Sequence, residues 1–526
     1  MSDGLVYDTA MTPRDPVELA HVLGRKVTAG TGKEAQKEAG QFMTPPAIAR
    51  LAASRLAEGH FDRTVRVLEP AAGAGILACA VCEALAAADK PPGVIVLTLF
   101  ELDPAFADAL ARVVASLTEW LSARGIELRT AIRFEDYVIA NAQALDKGLF
   151  GNSEPFDLII SNPPYFKVAK DDPRARACAS VVHGQPNIYS FFMAIGASCL
   201  AEGGRLAFIV PRSFASGQYF RLFRERFFAD MRPDSVHVFH SRTDAFADDE
   251  VLQENVVFLA TSARGWAKTA ADLEFTVTAS HGMSDLVAPE VFRLPLSEVL
   301  DLSDKDKVLC IPSTSEEVAV FHRLKHWTGS LHRYGWDIST GPVVPFRAEE
   351  VIVGEPTEET IPLLWMQNVR TMQTTWPVAT RKAQYLRDCE DSAHIVLPSK
   401  NYVLIRRFSP KEQKRRLMVA PVLSDDLAFE RIGLENHLNY VHKPKGELST
   451  DEVFGLSALL SSRIVDAWFR STNGNTQVSA TELRAMPLPA VEAIRAIGRE
   501  AQRVHTLEEI DEVVERLTAM SEAEIA

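Results

Sequence analysis

Residues 156–167 read FDLIISNPPYFK. The run over 156–160 is short and apolar, the pattern of a strand buried on both faces, and Asn162 is followed at once by two prolines and a tyrosine. Neither proline has a backbone N–H and each fixes its own φ, so ladder pairing stops there and the chain leaves the sheet in a set direction. The Asn162 and Tyr165 side chains are thereby held at the carboxyl end of a strand, which is where open α/β sheets bind ligands. A proline-stiffened loop would account for the same four residues, and the segments upstream decide between the two readings.

Those segments alternate. VRVLEP, VIVLTLFELD, RTAIRFEDY and FDLIISNPPY read as strands, with helical stretches over 75–88 and 104–124 between them. A helix over 187–200, the strand GRLAFIVP, a helix over 219–231 and the strands SVHVFH and ENVVFLAT follow. Strands alternating with helices of this length predict an α/β fold with a doubly wound, mostly parallel sheet, whose last two strands can form an antiparallel hairpin at one edge. Residues 1–40 are polar, with a flexible or weakly helical stretch over 28–40. In the segment QFMTPPAIARLAASRL that follows, Thr44 is a candidate N-cap, and Pro45 and Pro46 suit a helix start. After about residue 300 short strands and turns dominate, with regular helix only over 451–471, and a charged helical tail closes the chain. The expected division is a lead-in (1–40), an α/β domain (41–300), a mixed α+β domain (301–490) and a helical tail (491–526).

With 526 residues, 47% of them apolar and 24% charged, the chain reads as a folded multidomain protein. No apolar run is long enough to cross a bilayer and the N-terminus lacks a signal-peptide pattern, so a cytoplasmic location and no membrane partner are expected. Cys79 and Cys82 form a Cys-x-x-Cys pair in an alanine-rich helical pattern without a second pair or nearby histidines, and no metal site is expected. A net charge of −14 argues against indiscriminate nucleic-acid binding, yet residues 381–416 hold ten basic and four acidic residues, a local balance of +6.

The first strand runs into AAGAG, which sets Gly73 and Gly75 before the following helix, where a missing Cβ lets backbone amides approach a ligand. Glu101 ends the second strand, placed to accept from both hydroxyls of a ribose, and Asp136 ends the third, placed to accept from an adenine amino group. Together these describe an adenosine pocket, common to NAD and S-adenosylmethionine. The fourth strand separates the two, because hydride transfer has no use for Asn-Pro-Pro-Tyr whereas methyl transfer to an amide-like nitrogen does. If the Asn162 oxygen and the Pro163 carbonyl each accept one N–H of an exocyclic amino group, its lone pair turns toward the methyl donor without a strong base. Tyr165 would stack on the base, a contact worth roughly 1–3 kcal/mol.

TPP at 44–46, LEPAAGAG at 68–75, FELDP at 100–104, EDY at 135–137 and NPPY at 162–165 resemble, in that order, the γ group of N6-adenine-specific DNA methyltransferases, in which a recognition domain follows the catalytic one. FADDEVLQENVVFL, RKAQYLRD, YVLIRRFSPKEQKRRL, GLENHLNYVH and GNTQVSATELRAMPLP further resemble modification methylases of type II restriction systems, in their PstI-like branch. The resemblance implies a class I methyltransferase fold, S-adenosyl-L-methionine as cofactor, base flipping, double-stranded DNA as partner, a separate cognate restriction endonuclease and no metal. It implies Asn162, Pro163, Pro164, Tyr165 and Phe246 as catalytic residues, with Phe246 closing the second face of the flipped base. Thr44, Glu69, Ala71, Gly73, Gly75, Glu101, Asp136 and Asn162 are the implied cofactor contacts. The basic segment gains a partner, with Arg381, Lys382, Arg406, Arg407, Lys411, Lys414, Arg415 and Arg416 as candidate DNA contacts. An Asn-Pro-Pro-Tyr site also serves enzymes that methylate RNA adenines or a protein glutamine amide, and the glutamine enzymes lack a C-terminal domain of this size. A catalytically silent DNA-binding subunit would not need Asn162, Tyr165, Glu101 and both glycines.

Overall fold

The structure, a computed structural model, describes residues 15–29, 43–146, 154–241, 255–409, 413–472, 477–504 and 506–525. It divides into two units, Met1–Ser313 and Thr314–Ala526. Among the described residues no helix is long and apolar enough to cross a membrane.

The first unit is built on nine strands: β1 (Thr64–Glu69), β2 (Val94–Phe100), β3 (Glu127–Arg133), β4 (Phe156–Ser161), β5 (Leu200–Pro211), β6 (Met231–Phe239), β7 (Asn255–Ser262), β8 (Glu274–Ser280) and β9 (Glu290–Pro295). Their order is β3-β2-β1-β4-β5-β7-β6-β8-β9, with β1 to β5 parallel and β7 antiparallel to both of its neighbours. The α/β class expected from the sequence is the class observed. Central strands are buried on both faces, as the continuous apolar runs require: Leu158, Ile159 and Ile160 of β4 are fully buried. Edge strand β3 instead exposes Glu127, Arg129 and Arg133, charges that discourage pairing with another chain. The β6–β7 hairpin forms, but not at an edge. β7 inserts between β5 and β6, and β8 and β9 extend the sheet beyond β6, because β6 pairs in parallel with β8 through its free side.

A core shared by β1, β2, β4 and β5 takes in the helices Pro46–Leu56, Ile76–Ala86 and Ala107–Ser122 through residues such as Ile48, Ala52, Leu77, Val81, Leu110 and Val113. It also takes in a helix over Pro16–Ala29, whose Val17, Leu19, Ala20 and Leu23 are buried. Part of the stretch read as a polar lead-in is therefore a structural member of this unit. Arg50 fastens it, reaching Asp15 at 2.6 Å and both Glu18 and Glu83 at 3.2 Å. Thr44 does not cap the next helix. Pro45 holds the N-cap position of Pro46–Leu56, without a side-chain cap, which releases the Thr44 hydroxyl for the site described below. Since β1 lies between β2 and β4, the connections leave it in opposite directions and open a crevice at the carboxyl ends of these strands.

The second unit combines a four-stranded antiparallel sheet, a five-stranded mixed sheet and a helical layer. The helix expected over 451–471 is two helices, Thr450–Ser461 and Arg463–Thr472. Ser462 is extended at φ −73° and ψ 159°, and its hydroxyl donates to the Leu459 carbonyl, a local bond that competes with helix propagation. A further helix, Ser315–Leu324, starts at Thr314, whose hydroxyl accepts from the Glu317 N–H. The charged tail packs as well. The helix Val491–Ala501 meets Thr450–Ser461 so closely that a Cβ on Gly455 would lie 1.9 Å from the Ile494 carbonyl oxygen. Gly455→Val should therefore lower stability by about 1–3 kcal/mol or more, as overpacking does. Gly354→Ala, at a position with open space around it, should leave the thermal unfolding temperature unchanged. Equal melting curves for both variants would contradict this packing.

Candidate active site

The loop after β1 turns sharply. Gly73 and Gly75 take φ of +52° and +83°, and the Gly75 N–H donates to the Ala72 carbonyl at 2.7 Å. At Gly75 a Cβ would also approach Leu110 Cδ1 to 3.0 Å, so backbone conformation and packing both call for glycine. Glu101, at the end of β2, ties this loop to its own strand: Oε2 accepts from the Gly73 N–H at 2.6 Å and Oε1 from the Asp103 N–H at 2.8 Å. Burial pushes its carboxyl up, and these backbone bonds partly offset the effect. Glu69 is different. It is 1% exposed, its Oε2 accepts from the Ala78 N–H at 2.9 Å in the first turn of the following helix, and burial drives its carboxyl well above the usual range. Of the pair expected near the cofactor, Ala71 lines the cavity described next and Glu69 does not.

That cavity, of about 300 Å³, sits at the strand ends. Gly73 and Ala71 contribute from the loop after β1, Glu101 from β2, Asp136 from the segment after β3, and Asn162 and Pro164 from the segment after β4. Four separate stretches of sequence thus meet around one space, while Gly75 supports the loop from behind. Asp136 caps the helix Tyr137–Asn141 by accepting from the Ile139 N–H at 3.0 Å, and its other oxygen lies 3.9 Å from Arg174. The apolar walls, Phe106, Ile188 and Phe192, were not anticipated, nor was Arg174, which also stands over the Phe166 ring at 5.4 Å. Only Phe106 carried a signal, since it falls two residues after the FELDP stretch.

Asn162 emerges from β4 with its amide held on both sides. Nδ2 donates to Thr44 Oγ1 at 3.0 Å, and Oδ1 accepts from the Tyr165 hydroxyl. The same hydroxyl lies 2.8 Å from the Ile209 carbonyl, a second acceptor for its one proton. Burial raises the Tyr165 pKa well above its usual value, so the group stays protonated. The expected stacking surface is not open in this structure. The Tyr165 ring is 7% exposed and meets Tyr189 edge-on, with centroids 6.1 Å apart. Pro163 is buried and Pro164 half-buried. Phe246 lies outside the described residues.

The basic segment belongs to the second unit, and much of it is engaged internally. Arg416 is buried and faces the Phe469 ring, Arg415 pairs with Asp511 at 2.5 Å, and Lys414 pairs with Glu508 at 2.7 Å. Arg406 donates to the Val369 carbonyl and Arg407 to the Asn436 carbonyl. Of the candidate DNA contacts, Arg416 and Arg415 are thus withdrawn into the fold, whereas Lys414 and Glu508 pair at the exposed surface. Arg381 and Lys382 are exposed, Lys382 over the Trp365 ring at 4.1 Å. Lys411 lies outside the described residues.

A carboxyl whose folded-state pKa is raised favours folding below its unfolded pKa, and loses that contribution as pH rises through the folded value. Glu69 is such a group. Glu69→Gln keeps an acceptor for the Ala78 N–H and removes the charge, so its melting temperature should gain on wild type as pH rises from about 5 to about 9. A gain that shrinks with rising pH would contradict the assignment.

A family described as Eco57I restriction-modification methylase matches residues 115–246. The type II methyltransferase M.BsuBI of Bacillus subtilis is 30% identical over 467 residues, 88% of this chain and 90% of that one. The type II methyltransferase M.PstI of Providencia stuartii is 30% identical over 463 residues, 88% of this chain and 89% of that one. Among solved structures, the type IIG restriction endonuclease BpuSI is similar at 14% identity, with a TM-score of 0.44 covering 93% of this chain and 63% of that one. On the two full-length relatives and the family match, the chain belongs to the type II methyltransferases of restriction-modification systems, DNA methyltransferases that use S-adenosylmethionine.

Proposed function

We propose that this enzyme methylates N6 of adenine in duplex DNA after turning the target base out of the helix, and that the second unit supplies the sequence address. The observation that carries the reading is the Asn162 amide, fixed between Thr44 and Tyr165 at the wall of the cavity. Its oxygen has a second lone pair, which can accept an N–H from an exocyclic amino group while the Pro163 carbonyl accepts the other. These two acceptors draw the nitrogen toward tetrahedral geometry and free its lone pair. The protonated Tyr165 hydroxyl cannot act as the base. Its part is to orient the amide, and the surplus proton leaves to solvent after transfer.

The cavity residues fit S-adenosylmethionine. The Glu101 carboxylate suits ribose hydroxyls, Asp136 suits an adenine amino group, and Phe106, Ile188 and Phe192 suit the flat faces of the ring. When bound, the cofactor supplies an electrophilic methyl group on a sulfonium. A base stacked within a duplex cannot reach a cavity sunk at the strand ends, hence the proposed extrusion, with Phe246 against one face of the base. Arg381 and Lys382 are left for phosphate contacts, which anchor without specifying sequence. A separate endonuclease of the same sequence specificity is the implied companion, and the host cytoplasm the place of action.

Asn162→Ala should reduce methyl transfer at least about 100-fold, with cofactor and DNA affinity within a few-fold of wild type. Near-full turnover would place the chemistry elsewhere. Tyr165→Phe keeps the ring and removes the hydroxyl, so kcat should fall about tenfold with KM unchanged, as for loss of one orienting hydrogen bond. Glu101→Ala should weaken S-adenosylmethionine binding about tenfold or more, because a charge-assisted acceptor is lost; unchanged affinity by calorimetry would remove Glu101 from the pocket.

A further inference from the structure

One end of the four-stranded sheet in the second unit gathers features that folding alone does not explain. Strand Tyr402–Arg406 ends there, with Arg406 opposite Leu438 of strand Leu438–His442 and Ile405 opposite Val419 of strand Val419–Val422. A short hairpin, Val369–Arg370 against Gln373–Thr374, is fastened to the same end. The Met372 N–H donates to the Val419 carbonyl at 2.8 Å, and Arg406 Nε donates to the Val369 carbonyl at 2.8 Å. Asn368 clamps the base of the hairpin, accepting from the Trp365 N–H at 2.7 Å and donating to the Thr375 carbonyl at 2.8 Å.

Arg370 and Gln373 face each other across this hairpin, and both are exposed. While Lys414, Arg415, Arg431, Arg470 and Arg495 of this unit are each paired with an acid, Arg370 has neither an ion pair nor a side-chain hydrogen bond among the described residues. It lies beside a second arginine instead: burial and then the Arg370 charge lower the pKa of Arg406. Two neighbouring cations without an acid between them repel, a cost the fold does not need. At the tip Met372 has φ +59°, a conformation uncommon for a residue with a side chain and one that collects at functional positions. Phe408, two residues beyond Arg406, is 41% exposed and rests against His437, with ring centroids 5.2 Å apart. Among the described residues, the Asn436 side-chain oxygen, in the adjoining turn, is buried without a partner.

We infer that this sheet end is the base-reading surface of the enzyme, and that the hairpin enters the major groove with Arg370 reading a guanine and Gln373 an adenine. A two-stranded β-ribbon fits that groove, and the guanidinium fork matches guanine O6 and N7 as the glutamine amide matches adenine N6 and N7. The neighbouring Arg406 adds positive potential that favours the anionic duplex. The inference rests on the proposed action of this enzyme on DNA, and it names the residues that select the site.

The test uses the full-length protein. Modified-base sequencing of DNA from an expressing host identifies the methylated motif, and methylation rates are then compared on duplexes carrying that motif and each single-base variant. Arg370→Ala and Arg370→Lys should both lose discrimination at one guanine position by roughly ten- to hundredfold, with unchanged melting temperature and cofactor affinity. Gln373→Ala should relax one adenine position. The lysine variant is decisive, because it keeps the charge a phosphate contact needs and loses the fork a guanine contact needs. If Arg370→Lys matches wild type, or if the variants slow all duplexes equally, Arg370 is a backbone contact and the inference is overturned. If the wild-type protein modifies no DNA motif, the proposed function itself fails, and this inference with it.

Discussion

The Asn162 amide is restrained from two directions, and the first unit is arranged so that both restraints exist. β4 must be buried on both faces to end at a fixed place, and the paired prolines must stop it there. The N-terminal helices must pack on the sheet to bring Thr44 within 3.0 Å of Nδ2. β5 must lie beside β4 so that the Ile209 carbonyl can hold the Tyr165 hydroxyl at 2.8 Å. In the proposed reaction a freely rotating asparagine would spend part of its time with its amino group toward the substrate, where it would repel an incoming N–H. Fixing the amide is a form of preorganisation, and it is supplied by groups that do not themselves react.

Two buried carboxyl groups organise the neighbouring strand ends and behave differently. Glu69 closes on the N-terminus of the helix after β1, where unsatisfied N–H groups and the helix dipole welcome an acceptor. Glu101 bridges the glycine loop and the turn after β2, so a ligand that touches it also feels the position of Gly73. Substitution of Glu101 therefore alters both a wall of the cavity and the shape of the loop, which is why its test is cofactor affinity and not stability.

The local features of the site were legible because each depends on adjacent residues. Gly73, Glu101, Asp136 and Asn162 fall at strand ends that the apolar runs mark out, and the sheet order puts those ends together. What was misread depends on distant partners. The run at 406–416 shows its positive charge, yet nothing local shows that Lys414 and Arg415 meet acids 94 and 96 residues away. Tyr165 looks like an open stacking ring until Ile209, 44 residues on, takes its hydroxyl inward. The helix Pro16–Ala29 was hidden in a window whose average is polar, although its buried positions follow one helical face. β8 and β9 were missed because the alternation of strand and helix, the pattern in use, ends before them.

The most direct measurement is a crystal structure of the enzyme with its target duplex and an unreactive S-adenosylmethionine analogue. The account predicts the target adenine outside the helix, with its N6 about 3 Å from Asn162 Oδ1 and from the Pro163 carbonyl oxygen, and with Asn162 still bonded to Thr44. A target base left stacked in the duplex, or an amino group bound elsewhere while Asn162 stays with its own neighbours, would contradict it.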